Sequence, residues 1–193
     1  RQPIANQALV SFCTALRRTL RPLLYPPAKV LALDLDNILW GGILGEDGIP
    51  NLRFGQEYPG NVYRRIQQRV RELKDSGILL VLLSKNNIGD VEEAFSAVAD
   101  MLLKLSDFAW IRVNWRPKHE NLCEIAKELN LGLDSFVFLD DSHFEREEMS
   151  FALPEVSILP VTSDPLNILE ALSTTDRFDV LRVGDEDRLR TQD

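Results

Sequence analysis

Apolar residues recur along this chain with two different spacings, and each spacing predicts one kind of element. In residues 5–24, leucines and other apolar side chains lie three or four positions apart, which predicts an amphipathic helix that ends at Pro26 and Pro27. Residues 29–36, KVLALDLD, are apolar until their last positions. A continuous apolar run of this kind is typical of a central parallel strand, because helices cover both of its faces.

The two patterns alternate through the rest of the chain. Asn37 to Gly60 is rich in glycine and has little periodicity, so we predict a long loop or small flap there. Further helices are predicted around residues 62–73 (followed by Gly77), 91–98 (with Asp90 as N-cap), 122–129, 144–149 and 166–172, and further strands at 78–83, 110–113, 135–139 and 156–159. This βαβα order predicts an α/β fold with a three-layer, Rossmann-like, mainly parallel sheet. The charged tail from Asp179 is predicted to be loosely ordered.

Composition narrows the kinds of partner that the chain is expected to have. The formal net charge of −8 argues against nucleic acid. No run of about 18 apolar residues is present, so no membrane span is predicted. Cys13 and Cys123 lie far apart and fit no metal-ligand spacing, so we predict two buried, reduced thiols in a cytoplasmic protein.

Positive charge is concentrated at the N-terminus. Residues 1–30 carry five cations and no acid, so this arm is +5 and the remainder −13 against the total of −8. The arm is either the solvated face of a helix, which we favour, or a docking surface for an acidic partner. Because the chain begins at Arg1 rather than Met, we expect it to be part of a larger multidomain polypeptide.

Polar and charged residues follow the predicted strands at the points where those strands end. In an open parallel sheet, ligands bind outside the carboxyl ends of the strands. The residues expected at that edge are Asp34 and Asp36 after the first strand, Ser84, Lys85 and Asn86 after the second, Lys118 at the start of a helix, and Asp140 and Asp141 after the fourth strand.

These residues predict a site for a cation and a phosphate. Four carboxylates at one edge repel each other unless a cation lies among them, and an oxygen-only ligand set favours Mg²⁺. The metal and Lys118 would neutralise the phosphate, while the Ser84 hydroxyl and nearby backbone amides would fix its oxygens. Side chains two positions apart on an extended strand point to the same face. Asp34 and Asp36 therefore suit a division of labour in which one carboxylate attacks phosphorus and the other serves as acid and base.

Four stretches of the sequence carry a family resemblance: LALDLDNILWGGILGEDG, LVLLSKN, NWRPKHENL and LGLDSFVFLDDSHFERE. They resemble the haloacid-dehalogenase superfamily and, more narrowly, the FkbH-like domains of polyketide synthases, over about residues 29–159. The resemblance implies a haloacid-dehalogenase-like, FkbH-type domain in residues 28–193, with no large cap domain and with Mg²⁺ as cofactor. Residues 1–27 would then be an N-terminal amphipathic helix or linker.

The narrower resemblance also implies an activity. FkbH-like domains take the glyceryl group of 1,3-bisphosphoglycerate, release phosphate, and load the acyl group onto the phosphopantetheine thiol of an acyl carrier protein. By position, Asp34 would be the nucleophile and a metal ligand, and Asp36 the acid/base with its carbonyl oxygen on the metal. The other implied roles are phosphate binding by Ser84 and Lys118 and completion of the metal site by Asp140 and Asp141. From its place after the second strand, we also expect Asn86 to bind the substrate or its phosphate.

Two positions depart from the family pattern. Ile38 replaces the usual threonine of the first motif, and Leu83 replaces the cysteine that is thought to carry the acyl group. Because leucine cannot form a thioester, three hypotheses remain open. The chain is an enzyme that loads glyceryl, or a related hydroxyacyl group such as lactyl, without the cysteine step; or a phosphatase for small phosphorylated metabolites; or a non-enzymatic docking module.

Overall fold

The computed structural model describes residues 6–24, 26–98 and 101–179. The chain falls into two compact units, one of Arg1–Pro27 with Asp176–Asp193 and a larger one of Ala28–Thr175. Residues 180–193, and with them nearly all of the tail predicted to be loosely ordered, lie outside the described part.

The larger unit is built on a parallel sheet of five strands. The strands are β1 (Val30–Leu33), β2 (Leu79–Ser84), β3 (Trp110–Val113), β4 (Phe136–Leu139) and β5 (Ser157–Ile158). Their spatial order is β3-β2-β1-β4-β5, so β1 lies at the centre. In the ladders Leu33 pairs with Leu82 of β2 and with Leu139 of β4. These three strands therefore bring their carboxyl ends to one edge of the sheet.

Helices alternate with the strands. They are α1 (Asn6–Leu24), α2 (Leu44–Asp47), α3 (Gly60–Asp75), α4 (Ile88–Ala97), α5 (Lys118–Leu129), α6 (His143–Ala152) and α7 (Pro165–Thr174), with 3-10 turns at Ile49–Asn51, Leu105–Asp107 and Leu133–Ser135.

Both faces of the sheet are covered. Val30 and Ala32 pack in one core cluster with Leu122 and Ile125 of α5 and with Met149 of α6. The alternate side chains of β1 point to the opposite face and are also fully buried. Helices α3 and α7 pack against each other. These observations confirm the three-layer α/β fold, and the described residues include no large cap domain.

Several predicted boundaries were wrong for local reasons. The first strand ends at Leu33 rather than Asp36, because the backbone then turns, with the amides of Ile38 and Leu39 donating to the Leu35 carbonyl. The predicted flap over residues 37–60 contains α2 and a 3-10 turn. Asp90 is not an N-cap, because α4 begins two residues earlier, at Ile88.

The expectation that both cysteines are buried was also wrong. Cys13 is exposed and Cys123 is only half-buried, although neither forms a disulfide. In the helix predicted over residues 144–149, Phe144 is 68% exposed, whereas Met149 is buried. Helical spacing alone does not show which side of a helix meets the core.

The smaller unit includes α1 and its basic residues. Leu9, Phe12 and Leu16, on its apolar side, are all exposed. Arg17 and Arg21 each approach a carboxylate oxygen of Asp176 at 3.2 Å. Within the described residues, no helix combines the length and the apolar character needed to cross a membrane.

Candidate active site

The parallel pairing of β1 with β4 places the aspartates that follow these two strands side by side. The backbone N–H of Asp34 donates to the carbonyl of Leu139 at 3.1 Å, so Asp34 lies beside Asp140. One carboxylate oxygen each from Asp34, Asp140 and Asp141 lie within 4.8 Å of one another. The structure thus brings three of the four predicted acidic residues into one cluster.

The cluster has the chemistry of a site for a hard cation. Among the described residues, Asp34 Oδ1 is buried and has no hydrogen-bond partner. A buried carboxylate oxygen without a partner is costly unless a cation or a ligand satisfies it. Three carboxylates and no nitrogen or sulfur ligand match the preference of Mg²⁺, which also keeps several waters. The residues present therefore fit the predicted metal.

Lys118 supplies a buried positive charge beside these carboxylates. It is the first residue of α5, and it is only 3% exposed. Its Nζ lies 2.5 Å from Asp140 Oδ2 and 3.2 Å from Asp34 Oδ2. Burial opposes the charge, but the carboxylates of Asp34 and Asp140 outweigh that penalty and raise the pKa of Lys118. The ammonium therefore stays protonated throughout the physiological range.

Two carboxyl groups of the cluster, those of Asp140 and Asp141, hold protons more tightly than usual. Burial first, and then the charge of Asp34, raise the pKa of Asp140 to about 7, against the opposing effect of Lys118. Burial and the same charge also raise the pKa of Asp141. A cation that enters this site therefore competes with protons near neutral pH.

Asp36 lies apart from the cluster. Because β1 ends at Leu33, the argument from strand alternation does not extend to Asp36, and its carboxylate is not among the three clustered ones. Its Oδ1 accepts from Trp40 Nε1 at 2.9 Å and from the Leu44 N–H at 3.1 Å, while Oδ2 accepts from Asn86 Nδ2 at 2.9 Å. Burial raises the pKa of Asp36, although the hydrogen bond from Asn86 opposes the shift. A fixed carboxyl group with a raised pKa suits an acid/base role.

Ser84 and Asn86 line the edge next to Asp36. Ser84 is the last residue of β2, and its Oγ accepts a hydrogen bond from Asn86 Nδ2 at 3.1 Å. Both side chains are buried. Of the three predicted phosphate-binding residues, Asn86 contacts both Ser84 and Asp36, whereas Lys118 lies against the carboxylates of Asp34 and Asp140.

Sequence reasoning missed three side chains that orient the acids. Besides Trp40, which donates to Asp36, these are Asn37 and Arg146. The Asn37 side chain hydrogen-bonds Asp141, and Arg146 Nη1 donates to the Asp140 carbonyl at 2.7 Å. Their polarity and closeness in sequence to the aspartates were visible, but no spacing rule singled them out.

The two departures from the family pattern are both buried. Ile38 and Leu83 are each 0% exposed. Leu83 packs in the core cluster with Val81, Leu122 and Ile125. Its side chain therefore belongs to the hydrophobic core.

No protein-family model and no curated protein matches the sequence. Solved structures do match. A haloacid-dehalogenase-like (HAD-like) protein from Mesorhizobium loti superposes with a TM-score of 0.54 at 14% identity, over 82% of this chain and 91% of that one. A HAD-family enzyme from Bacteroides thetaiotaomicron gives a TM-score of 0.50 at 13% identity, over 72% and 95%. The chain therefore has the haloacid-dehalogenase fold.

One structure is similar in sequence as well. The N-terminal part of the protein BF1531 from Bacteroides fragilis contains a phosphatase domain and was crystallised with Mg²⁺. It is 37% identical to this chain, with a TM-score of 0.80 over 86% of this chain and 44% of that one. The present chain thus spans less than half the length of that structure.

Proposed function

We propose that this chain is a magnesium-dependent phosphatase of the haloacid-dehalogenase type that acts on a small phosphorylated metabolite. The observation that carries the proposal is the cluster of Asp34, Asp140 and Asp141 around the buried Lys118. The fold and the similarity to a phosphatase domain that binds Mg²⁺ support it. When bound, the metal would supply positive charge for the phosphate oxygens.

The aspartates divide the reaction between them. A carboxylate oxygen of Asp34 attacks phosphorus, and the bond from phosphorus to the leaving oxygen breaks as Asp36 gives that oxygen a proton. Asp36 then takes a proton from a water molecule as the water oxygen attacks phosphorus. The bond from phosphorus to the Asp34 oxygen breaks, which regenerates the Asp34 carboxylate and releases inorganic phosphate. Both residues return to their starting protonation states.

The remaining polar groups bind the phosphate in this proposal. Lys118 neutralises negative charge on the phosphate and on Asp34, which lowers the repulsion between nucleophile and substrate. Ser84 offers a hydroxyl group, and Asn86 holds both that hydroxyl and the Asp36 carboxylate in place. We assign the metal to Asp34, Asp140 and Asp141, with the Asp36 carbonyl as a further ligand.

A narrower form of the proposal follows from the FkbH-like motifs. In it, the substrate is a three-carbon acyl phosphate, and the glyceryl or related hydroxyacyl group passes to an acyl carrier protein. The aspartate site would hydrolyse a phosphate ester, and the carrier thiol would attack the acyl carbon as the bond from that carbon to the phosphate oxygen breaks. Since Leu83 is buried in the core and has no thiol, transfer in this chain would be direct.

One experiment tests both forms. The chain is incubated with Mg²⁺, 1,3-bisphosphoglycerate and a carrier protein bearing phosphopantetheine; released phosphate and the intact mass of the carrier are then measured. Phosphate release that Asp34→Asn abolishes supports the phosphatase. A glyceryl mass shift on the carrier, also lost in Asp34→Asn, supports loading. No release from this or other small phosphate esters, together with no affinity for Mg²⁺, would favour a non-enzymatic docking module.

A further inference from the structure

A partly buried ion pair joins the residue after Ser84 to the helix after Asp140 and Asp141. Lys85 follows Ser84 directly, and its Nζ lies 2.5 Å from Oε1 of Glu145 in the first turn of α6. The side chain of Lys85 is 30% exposed and that of Glu145 only 10%. We propose that Lys85 and Glu145 form a positioning pair. The pair holds the loop after β2, which carries Asn86, against the loop after β4, which carries Asp140 and Asp141. This inference rests on the proposed phosphatase function.

The order of the strands explains why an ion pair between Lys85 and Glu145 would matter. Ser84 ends β2 and Asn86 lies in the loop that follows it, whereas Asp140 and Asp141 lie in the loop after β4. Strand β1 lies between β2 and β4, so no strand ladder ties their following loops to each other. The pair between Lys85 and Glu145 spans that gap.

Glu145 is built into the turn that orients Asp140. The N–H of Ser142 donates to Asp140 Oδ1 at 2.9 Å, and the N–H of Glu145 donates to Ser142 Oγ at 3.4 Å. A shift of Glu145 would therefore move the capping residue that holds Asp140.

Lys85 is tied just as closely to the other side of the site. Its neighbour Asn86 donates to both Ser84 and Asp36. Movement of the Lys85 backbone would thus disturb the hydroxyl that we assign to phosphate and the carboxyl group that we assign to acid/base work. Second-layer contacts of this kind fix the geometry of metal and catalytic groups, and their removal commonly costs about 10-fold to 100-fold in affinity or activity.

The two possible roles of Lys85 and Glu145, as charges near the phosphate or as a pair that positions the loops, predict different effects on phosphate binding. If Lys85 only added positive charge, its removal would weaken phosphate binding, whereas removal of the Glu145 charge would strengthen it. If the two residues position the loops, either removal weakens binding, and removing both costs little more than removing one, because the bridge is already broken.

The test uses Lys85→Met, Glu145→Gln, the double variant and Lys85→Arg. Affinity for inorganic phosphate in the presence of Mg²⁺ is measured by calorimetry, and kcat and KM for phosphate release are measured beside the melting temperature. We expect each single variant to lose about 10-fold in phosphate affinity and in kcat/KM, and the double variant to lose no more than about threefold beyond that. Lys85→Arg keeps the charge and should retain most of the wild-type affinity.

Lys74 offers a matched control. Its Nζ also lies 2.5 Å from a carboxylate, Asp107 Oδ1, with side chains 36% and 19% exposed. The pair connects α3 with the 3-10 turn before β3, away from the candidate site. Lys74→Met should leave phosphate affinity, kcat and KM unchanged.

Each other outcome overturns the inference. Tighter phosphate binding in Glu145→Gln, additive losses in the double variant, or a lower melting temperature with unchanged phosphate affinity and kinetics would reject a positioning role. If Lys85→Arg lost as much phosphate affinity as Lys85→Met, the ion pair would not be what positions the loops, and the inference would be rejected. Failure of the wild-type chain to bind phosphate with Mg²⁺ and to release it from esters would reject the proposed function as well; normal wild-type behaviour with unaffected variants would reject the positioning pair alone.

Discussion

Replacing Lys118 by methionine removes the buried cation of the site while keeping a side chain of similar length. The change leaves Asp34 and Asp140, at 8% and 0% exposure, without their shared partner. Breaking a buried ion pair on one side typically costs about 3–5 kcal/mol, because the remaining charge is left uncompensated. In a domain of this size, about 2–4 °C is lost per kcal/mol, so we expect the melting temperature to fall by about 10 °C in the absence of metal.

The loss should grow with pH. In the folded wild type the pKa of Asp140 is about 7, above its ordinary value of 3.8. A carboxyl group with a raised folded pKa loses stability as pH rises from the unfolded pKa to the folded one, and no further above it. Without Lys118 the pKa of Asp140 rises further, so the variant keeps losing stability above pH 7 where the wild type has levelled off. The deficit of Lys118→Met should therefore be larger at pH 8 than at pH 6.

Thermal unfolding at pH 6 and pH 8, with and without Mg²⁺, measures these effects. Mg²⁺ should stabilise Lys118→Met more than the wild type, because the cation replaces the missing positive charge. Lys74→Met, which breaks the more exposed pair with Asp107, should cost no more than about 1 kcal/mol. Equal losses in the two variants, or a Lys118→Met deficit that shrinks with rising pH, would refute the reasoning.

Three further predictions concern the acid/base residue, the metal and the backbone. Asp36→Asn should lower kcat for phosphate release by about 10²-fold to 10⁴-fold, because the proton donor is lost; an unchanged kcat would contradict the assignment. Affinity for Mg²⁺, measured by calorimetry at pH 6, 7 and 8, should weaken as pH falls below about 7, by up to about tenfold per pH unit for each proton displaced, because Asp140 must lose its proton to bind metal; a flat profile would count against the cluster as the metal site. Gly60→Ala should destabilise the fold by about 1–3 kcal/mol, because a Cβ there would lie 2.7 Å from the backbone carbon of Phe54. Gly89→Ala, in open space within α4, should stabilise it by about 0.5–1 kcal/mol, and calorimetric melting would show whether the two substitutions differ in sign.

Local pattern was sufficient for the order and type of most elements. The strand at Trp110–Val113 was predicted with its observed bounds. The strand at Phe136–Leu139 was predicted to begin one residue too early. These segments are apolar runs between turn residues, so their conformation follows from burial on both faces. The boundaries that failed, at Asp36 and Asp90, depend on backbone hydrogen bonds with neighbouring turns, which the hydrophobic pattern does not record.

The sequence by itself determined that acidic residues would follow the first and fourth strands and that Lys118 would open a helix. These placements require only the order of strands and helices. Which side chains meet was decided by the tertiary structure. Register between β1 and β4 sets Asp34 beside Asp140 and puts both against Lys118, whereas the turn after Leu33 directs Asp36 towards Asn86.

The pair of Lys85 and Glu145 shows the same limit most clearly. The two residues are 60 positions apart, and each alone is an ordinary charged residue near a strand end or a helix start. Only the sheet order, with β1 between β2 and β4, brings their loops to the same edge and makes an ion pair possible. Local sequence thus determined which chemical groups each strand end would present, and long-range packing decided which of those groups act together.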